Sequence, residues 1–504
     1  MKNVLLSNQI NTKMRYIISL IVVIIIASGC SEEFLDRKPK GQLTFDTFFE
    51  NKDHAILATN AIYQQFRSWE MSAFPWIAIT DIISDDADKG SNENDAPYLK
   101  EIDEFTFDAT NAIFQQAWQG TYHAIFRANL AIINIPGISM DPVLRDRLVG
   151  EAKFLRAYSY FRLVQWFGDV PIIDRILTDA EYYNQPRAPK QEVYNFIETD
   201  LLDAINVLPE KSDYPSADLG RATKGAARGI LAKLYMVEHD FSKASEQLET
   251  IITSGEYSLL TRYDENFLQV GENGAESVFE ISAVATQAPI AGPGAVPFNM
   301  IQGVRGDPNL GWGFNRPSDD LNESYEIGDP RRQATILYEG EVLPDGSDLI
   351  HENPEILNPR YNQKAWVPSH PGLQDNGPGN IRILRYADIL LLAAEAFNEI
   401  GNPAKALEYL NQVRRRARGS NNFILPDVTI MEQSALRDKI YAERRSELAM
   451  EQQRWFDLAR WGRIPEVMDP LFEAFDASKH TLLPIPQSEI DLTGGLITQN
   501  PNYL

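Results

Sequence analysis

The residue types that carry out catalysis are present in this 504-residue chain, but not at catalytic spacings. Its six histidines (His54, His123, His239, His351, His370 and His480) are scattered and form no H-E-x-x-H pair. Gly225 and Gly229 stand four apart but bracket Ala227 rather than a serine, so there is no nucleophile elbow. No Gly-Lys dipeptide occurs, which removes a P-loop, and no G-x-G continues into a dinucleotide fingerprint. The run "SDDADKGSNEND" from Ser84 resembles a calcium loop at first. Counted from Asp86, Asp88 fits, but Gly90 takes the fifth position and Pro97 stands where a bidentate Glu belongs. No metal, cofactor or catalytic residue is therefore expected. Paired carboxylates for glycoside hydrolysis have no fixed spacing, so a hydrolase stays open as an alternative. Glu443, Glu447 and Glu451 recur at i, i+4 beside Arg444 and Arg454. That pattern reads as a structural ion-pair network, with acid–base chemistry as the sharper alternative.

Binding chemistry is better represented. Trp69 and Trp76 flank "EMSAFP", Trp312 and Phe314 lie in "LGWGFNRPSDD", and Trp366 lies in "NQKAWVPSH". A sugar ring has an apolar C–H face and a rim of hydroxyls. It suits a flat aromatic beside residues that hydrogen-bond adjacent hydroxyls. The expected ligand contacts are Trp69, Trp76, Trp312 and Trp366, with Asp85, Asp86 and Lys89 after Trp76 and with Asn315 and Arg316 after Trp312. Gly311 and Gly313 flank Trp312 and leave its backbone free to turn. The alternative for each tryptophan is to cap the core beneath a loop.

The elements that must position these side chains are mostly helical. Apolar spacing predicts helices over 51–69, 112–135, 191–208, 223–239, 242–254, 383–400, 403–418 and 431–461. One more starts at Asp141-Pro142, a cap followed by proline, and stops at Gly168. In that helix Phe154, Ala157, Tyr158 and Phe161 form one buried stripe, and Tyr441, Leu448 and Trp455 form another in the last helix. Between Gly255 and Asn380, clusters of Gly, Pro, Asn and Asp break the pattern, and a loop region this long is usually functional. Two helix pairs repeat. Tyr235 precedes Ala244 as Phe397 precedes Ala406, Ala232 and Ala394 stand before the aromatics, and Leu248 and Leu410 stand after the alanines. This is the tetratricopeptide pattern, in which such pairs must stack to bury their apolar faces.

Cys30 is the only cysteine. It follows an apolar run, Ile17 to Ile26, that is too short to span a membrane. Lys13 and Arg15 precede the run, and Ala27, Ser28 and Gly29 separate it from the cysteine. The order resembles a bacterial lipoprotein signal, with Ala27 where Leu is commoner, and it makes Cys30 the lipidated first residue of the mature protein. Residues 1–29 are then signal peptide. Met14-Arg15-Tyr16 would begin a compact signal alone, so translation is expected to start at Met14. A net charge of −24 argues against nucleic-acid binding and against adsorption to anionic lipid, so a covalent anchor has to supply membrane affinity.

Five motifs, in order, resemble the SusD/RagB family of outer-membrane nutrient-binding lipoproteins. They are "CSEEFLDRKP" at the lipid site, "GEAKFLRAYSYFRLVQWFGDVPII" from Gly150, "RYADILLLAAEA" from Arg385, "ERRSELAMEQQRWFDLARWG" from Glu443 and "LLPIPQSEIDLTGGLITQNPNY" near the end. The resemblance implies a mostly α fold, a tetratricopeptide-like α-α superhelix with a loop-rich face that binds glycans. It implies regions 30–255 and 256–504 packed as one compact unit. It implies an outer-membrane, surface-exposed location, with Ser31-Glu32-Glu33 resembling the export signal, and a SusC-like TonB-dependent transporter as partner, fed with oligosaccharide. A lipid-anchored glycoside hydrolase and a tetratricopeptide scaffold that binds only protein are the alternatives. Ligand contacts vary within the family and do not carry over.

Overall fold

The computed structural model describes residues 14–16, 48–284, 295–368 and 377–503. Cys30 and Ser31-Glu32-Glu33 lie outside them, as does His370. The chain divides into two units, Met1–Glu50 and Asn51–Leu504. The second holds ten helices of eight or more residues among the described residues: α1 (Lys52–Phe66), α2 (Ala112–Asn134), α3 (Pro142–Phe167), α4 (Lys190–Val207), α5 (Lys224–Val237), α6 (Phe241–Ser254), α7 (Tyr386–Glu399), α8 (Pro403–Arg418), α9 (Gln433–Leu448) and α10 (Arg454–Trp461). None of the described helices is long and apolar enough to cross a membrane.

Local chemistry sets the helix ends. The Asn51 carboxamide accepts from the backbone N–H of Asp53 and His54, and Asp141 accepts from Leu144 ahead of Pro142. Gly168 closes α3 at φ +70°, where a side chain would be strained. Each helix from α2 to α8 packs on the next, so the first repeat (α5, α6) stacks directly on the second (α7, α8) although residues 255–385 separate them in sequence. Tyr235, Ala244, Phe397 and Ala406 are all buried. Lys243 lies 4.9 Å from the Tyr235 ring and Lys405 lies 4.7 Å from the Phe397 ring. The repeat thus extends to the residue before each alanine.

The helix expected over 431–461 is two helices. Between α9 and α10, Met450 and Gln452 adopt φ of 61° and 59°, a conformation that costs a non-glycine residue about 1–3 kcal/mol. The turn aims two side chains inward. Gln452 donates to Asp81 through its backbone at 3.1 Å and its amide at 2.8 Å, and Glu451 pairs with Lys364 and Arg385, each at 2.7 Å. Tyr441 and Trp455 therefore belong to different helices rather than to one stripe.

The described residues between 255 and 385 hold short strands and short helices among their loops. Among the described residues, five strands of this region, β2 (Ser277–Ile281), β3 (Phe314–Pro317), β4 (Ile336–Tyr338), β5 (Arg360–Asn362) and β6 (Ile381–Arg385), join with β1 (Ala87–Gly90) from earlier in the chain to form three antiparallel pairs, β1–β3, β2–β6 and β4–β5. Val304, Leu337, Leu343, Ile350, Tyr361 and Trp366 build a second apolar cluster there.

Beside it lies a buried ion network. Arg331 pairs with Asp329, Glu443 and Glu447 at 2.7, 2.6 and 3.2 Å. Arg385 pairs with Glu276, Glu447 and Glu451 at 2.5, 3.2 and 2.7 Å. Arg414 reaches Glu443 at 2.5 Å, and Arg416 reaches Glu276 at 2.8 Å and also Glu447. The cations Arg331, Lys364, Arg385, Arg414 and Arg416 balance the anions Asp329, Glu276, Glu443, Glu447 and Glu451. The arginines adjacent in sequence pair elsewhere, Arg444 with Asp388 and Asp457, and Arg454 with Asp85.

Asp388 on α7 ties α5 to α9, accepting from Lys233 at 2.7 Å and Arg444 at 2.8 Å. Burial alone would raise its carboxyl, but these two cations outweigh burial and hold it at about 2. A carboxyl depressed in the folded state stabilises it above the unfolded value of about 4 and loses that contribution as pH falls towards 2. Asp388→Asn is therefore expected to lower stability by about 2–4 kcal/mol at pH 7. The gap to the unmodified protein should begin to close below about pH 4. Denaturant titrations from neutral to acid pH check this, and a gap that stays constant into acid contradicts it.

Candidate functional site

Two of the four expected tryptophans meet. Trp69 opens a one-turn helix (Trp69–Ser72) just after α1, and its ring centroid lies 5.9 Å from that of Trp312. Phe74 lies under both, 5.3 Å from Trp69 and 5.8 Å from Trp312, and stands edge-on to Phe314 at 4.8 Å. Tyr98 adds a ring 6.2 Å from Phe74. Phe74 and Phe314 are buried, whereas Trp69, Tyr98 and Trp312 are half-buried. The result is three partly open rings on a phenylalanine floor, in edge-on and tilted contacts, the former a favoured geometry for aromatic pairs.

The backbone fixes Trp312. Its N–H donates to the Met300 carbonyl at 2.9 Å, and the Gly313 N–H donates to Gly303 at 3.0 Å. A Cβ on Gly311 would lie 2.3 Å from the Met300 oxygen and one on Gly313, at φ +72°, would lie 3.0 Å from Arg305. The two glycines thus permit a close double-back that holds the ring still, where the sequence alone promised only freedom to turn. Arg305, half-buried, pairs with Asp95 at 2.5 Å and donates to the Ser91 hydroxyl at 2.7 Å. Ser91 in turn donates its N–H to the Gly313 carbonyl at 2.6 Å. Arg305, Asp95 and Ser91 therefore form a polar edge joined to the backbone that carries Trp312, with donors and acceptors suited to hydroxyls.

The other expected contacts lie inside the protein. Trp76 is 4% exposed, with the Arg162 guanidinium 3.9 Å above its ring, and Trp366 is 8% exposed in the second apolar cluster. Asp85 is clamped by Arg454 at 2.7 Å and Arg445 at 2.9 Å, and Asp86 by Arg445 at 2.8 Å. Lys89 donates to the carbonyls of Asn92 at 2.7 Å and Asp95 at 2.9 Å, closing the loop on itself. Asn315 donates to Asp81 and Gln302 at 2.9 and 2.8 Å. Arg316 stacks on Tyr361 at 3.9 Å and donates to the Gly313 and Asn358 carbonyls. These seven expected ligand contacts are thus enclosed by the fold rather than open at its surface. Burying a charged group is costly unless it is paired or hydrogen-bonded, and Asp85, Asp86, Lys89 and Arg316 all are, whereas the indole N–H groups of Trp76 and Trp366 have no acceptor. Asp88, counted for a calcium loop, accepts from Asn358 at 2.7 Å, and no cluster suited to a metal occurs among the described residues. Tyr98, Asp95 and Arg305 were missed because nothing in their own segments distinguishes them from ordinary loop residues.

Comparison with known proteins bears on the whole chain. Residues 295–503 match the SusD family, and residues 33–236 match a family described as "Starch-binding associating with outer membrane". SusD-like protein P2 of Formosa agariphila is 30% identical, over 97% of this chain and all of its own. A SusD-like protein of Bacteroides ovatus is 27% identical over 88% of this chain and 82% of its own. Among solved structures, a laminarin-binding SusD-like protein is 27% identical with a TM-score of 0.77, covering 90% of this chain and all of that one. Surface glycan-binding protein A from Bacteroides thetaiotaomicron, in complex with laminarihexaose, is 26% identical with a TM-score of 0.74, covering 89% and 99%. With a relative at 30% identity matched over 97% of this chain and the fold shared over 90% of it, the chain belongs to the SusD family.

Proposed function

We propose that this protein is a glycan-binding lipoprotein of the outer-membrane surface that captures oligosaccharides and delivers them to a SusC-like TonB-dependent transporter. The observation that carries the reading is the arrangement of Trp69, Tyr98 and Trp312, three half-open rings on a buried floor beside the Arg305–Asp95 edge. Stacked sugar faces meet the rings, and ring hydroxyls meet the edge. The printed ligands of the relatives, laminarin and laminarihexaose, make laminarihexaose the first probe. Saturable heat on titration, with quenched tryptophan fluorescence, is expected for it or for another hexaose in a panel that includes a starch-derived one. No binding across the panel, with the transporter still captured, would point to the protein-binding scaffold instead. Shortening of the oligosaccharide would point to a hydrolase.

The anchor has its own test. Cys30→Ala should remove the lipid and release the protein to the soluble fraction, because an acidic surface has little affinity of its own for anionic membranes. Partition with membranes that survives a high-salt wash would contradict the lipoprotein reading. Removal of residues 2–13 should leave surface display unchanged if Met14 begins the signal.

A further inference from the structure

A second polar feature lies where both halves of the chain meet. Arg162 on α3 is 4% exposed. It faces a cavity of about 50 Å³ lined also by Trp76, Lys233 of α5, Arg444 of α9, and Asp457 and Arg460 of α10. The other cations there are paired. Lys233 and Arg444 share Asp388 at 2.7 and 2.8 Å, Arg444 and Arg460 share Asp457 at 3.0 and 2.8 Å, and Arg460 also reaches Glu395. Lys233, Arg444 and Arg460 are thus balanced by Asp388, Asp457 and Glu395, which leaves Arg162 over. No carboxylate of the described residues reaches it. Its one protein hydrogen bond is a long one, 3.4 Å to the Met71 carbonyl, and its Nε has no acceptor. The indole N–H of Trp76, on the same cavity, has none either, nor has that of neighbouring Trp166.

The ring faces of Trp76 and Trp166, 3.9 and 4.9 Å away, attract the guanidinium but accept no N–H in its plane. A buried charge without a counter-charge costs several kcal/mol, and buried donors without acceptors add to that. A bound neutral molecule would satisfy the donors and leave the charge. A cavity of this size is too small for a sugar ring or a peptide. We propose that it binds one small monovalent anion, of halide or nitrate size, held by the Arg162 guanidinium beside the Trp76 indole N–H. The ion completes the charge balance where α3, α5, α9 and α10 meet, and so acts as a structural ligand joining the N-terminal and C-terminal helices.

Melting at constant ionic strength tests this, with sodium gluconate, too bulky for the cavity, replaced stepwise by sodium chloride up to about 200 mM. A ligand that binds only the folded state raises Tm in a saturable way, here by about 1–2 °C for a chain of this size. Bromide and nitrate should act like chloride, and Arg162→Met should abolish the dependence. Crystals grown in bromide should give an anomalous peak within hydrogen-bonding reach of Arg162. Equal melting in chloride and gluconate would overturn the proposal, as would a shift that persists in Arg162→Met, which marks a general salt effect. If Arg162→Met does not fold, the bromide crystals of the unmodified protein decide, and water alone at Arg162 counts against the anion.

Discussion

Trp312→Ala is expected to weaken laminarihexaose binding, or binding of whichever hexaose the panel identifies, by about ten- to a hundredfold. Loss of one stacked ring costs about 1–3 kcal/mol, by analogy with bases on aromatic side chains. Trp69→Ala should cost a similar factor. Their rings touch, so the double variant should lose less than the product of the two. Both rings are half-buried, so Tm should fall by only a few degrees. Trp366→Ala supplies the contrast. Its ring is 8% exposed in the second apolar cluster, and its removal should cost about 3–5 kcal/mol of stability. Calorimetric titration and thermal melting of the three variants separate the cases. Normal binding by both Trp69→Ala and Trp312→Ala would move the glycan site elsewhere.

Arg385→Met should be among the most damaging single substitutions in the chain. The guanidinium stands between Glu276, Glu447 and Glu451, at 2.5, 3.2 and 2.7 Å, and is 2% exposed. Burial opposes its charge, yet the three carboxylates outweigh burial and hold its pKa well above the ordinary value. Methionine fills comparable space but leaves three buried carboxylates short of a cation. Loss of about 3–5 kcal/mol is expected, enough to leave little folded protein in a chain of ordinary stability. Urea titration measures it. A companion change, Glu447→Gln in the Arg385→Met background, should recover part of the loss by removing one of the stranded charges. No recovery would mean that packing rather than charge dominates.

The helical frame was legible in the sequence because its signals are local. Asn51, Asp141-Pro142 and Gly168 act within one turn of where they stand, and Tyr235 with Ala244 marks a contact between neighbouring helices. Two expectations departed from this. The helix expected over 383–400 starts only at Tyr386, because Ile383, Leu384 and Arg385 belong to β6, which pairs with β2. The segment 431–461 had spacing that ran on through Met450 and Gln452, where positive φ accompanies contacts to Asp81, Lys364 and Arg385 from distant segments. The candidate site was half legible for the same reason. Trp69 and Trp312 looked like binding residues one at a time, but their pairing depends on where residues 303–313 fold back. The polar residues of "SDDADKG" and "NR" read as ligand contacts because they stand beside tryptophans in polar segments. Asp85 meets Arg454 across 369 residues, and no periodicity reports a partner that far away. Residue type indicates that a charge must be satisfied; only the fold determines by which neighbour.

The short turn from Ala449 to Gln453 also sets where this polypeptide can be divided. Family similarity falls into two blocks, 33–236 and 295–503, and would invite expression of each as a separate fragment. Yet Gln452 alone makes two hydrogen bonds to Asp81, so a fragment ending near residue 236 would leave that carboxylate without them, along with Asp85 and Asp86, whose arginines lie at 445 and 454. The reciprocal piece would carry Arg454 without its acids and Arg445 with Asp320 alone. Because Arg445, Gln452 and Arg454 complete the surroundings of Asp81, Asp85 and Asp86, that segment cannot reach its final electrostatic environment until the chain is present to about residue 454.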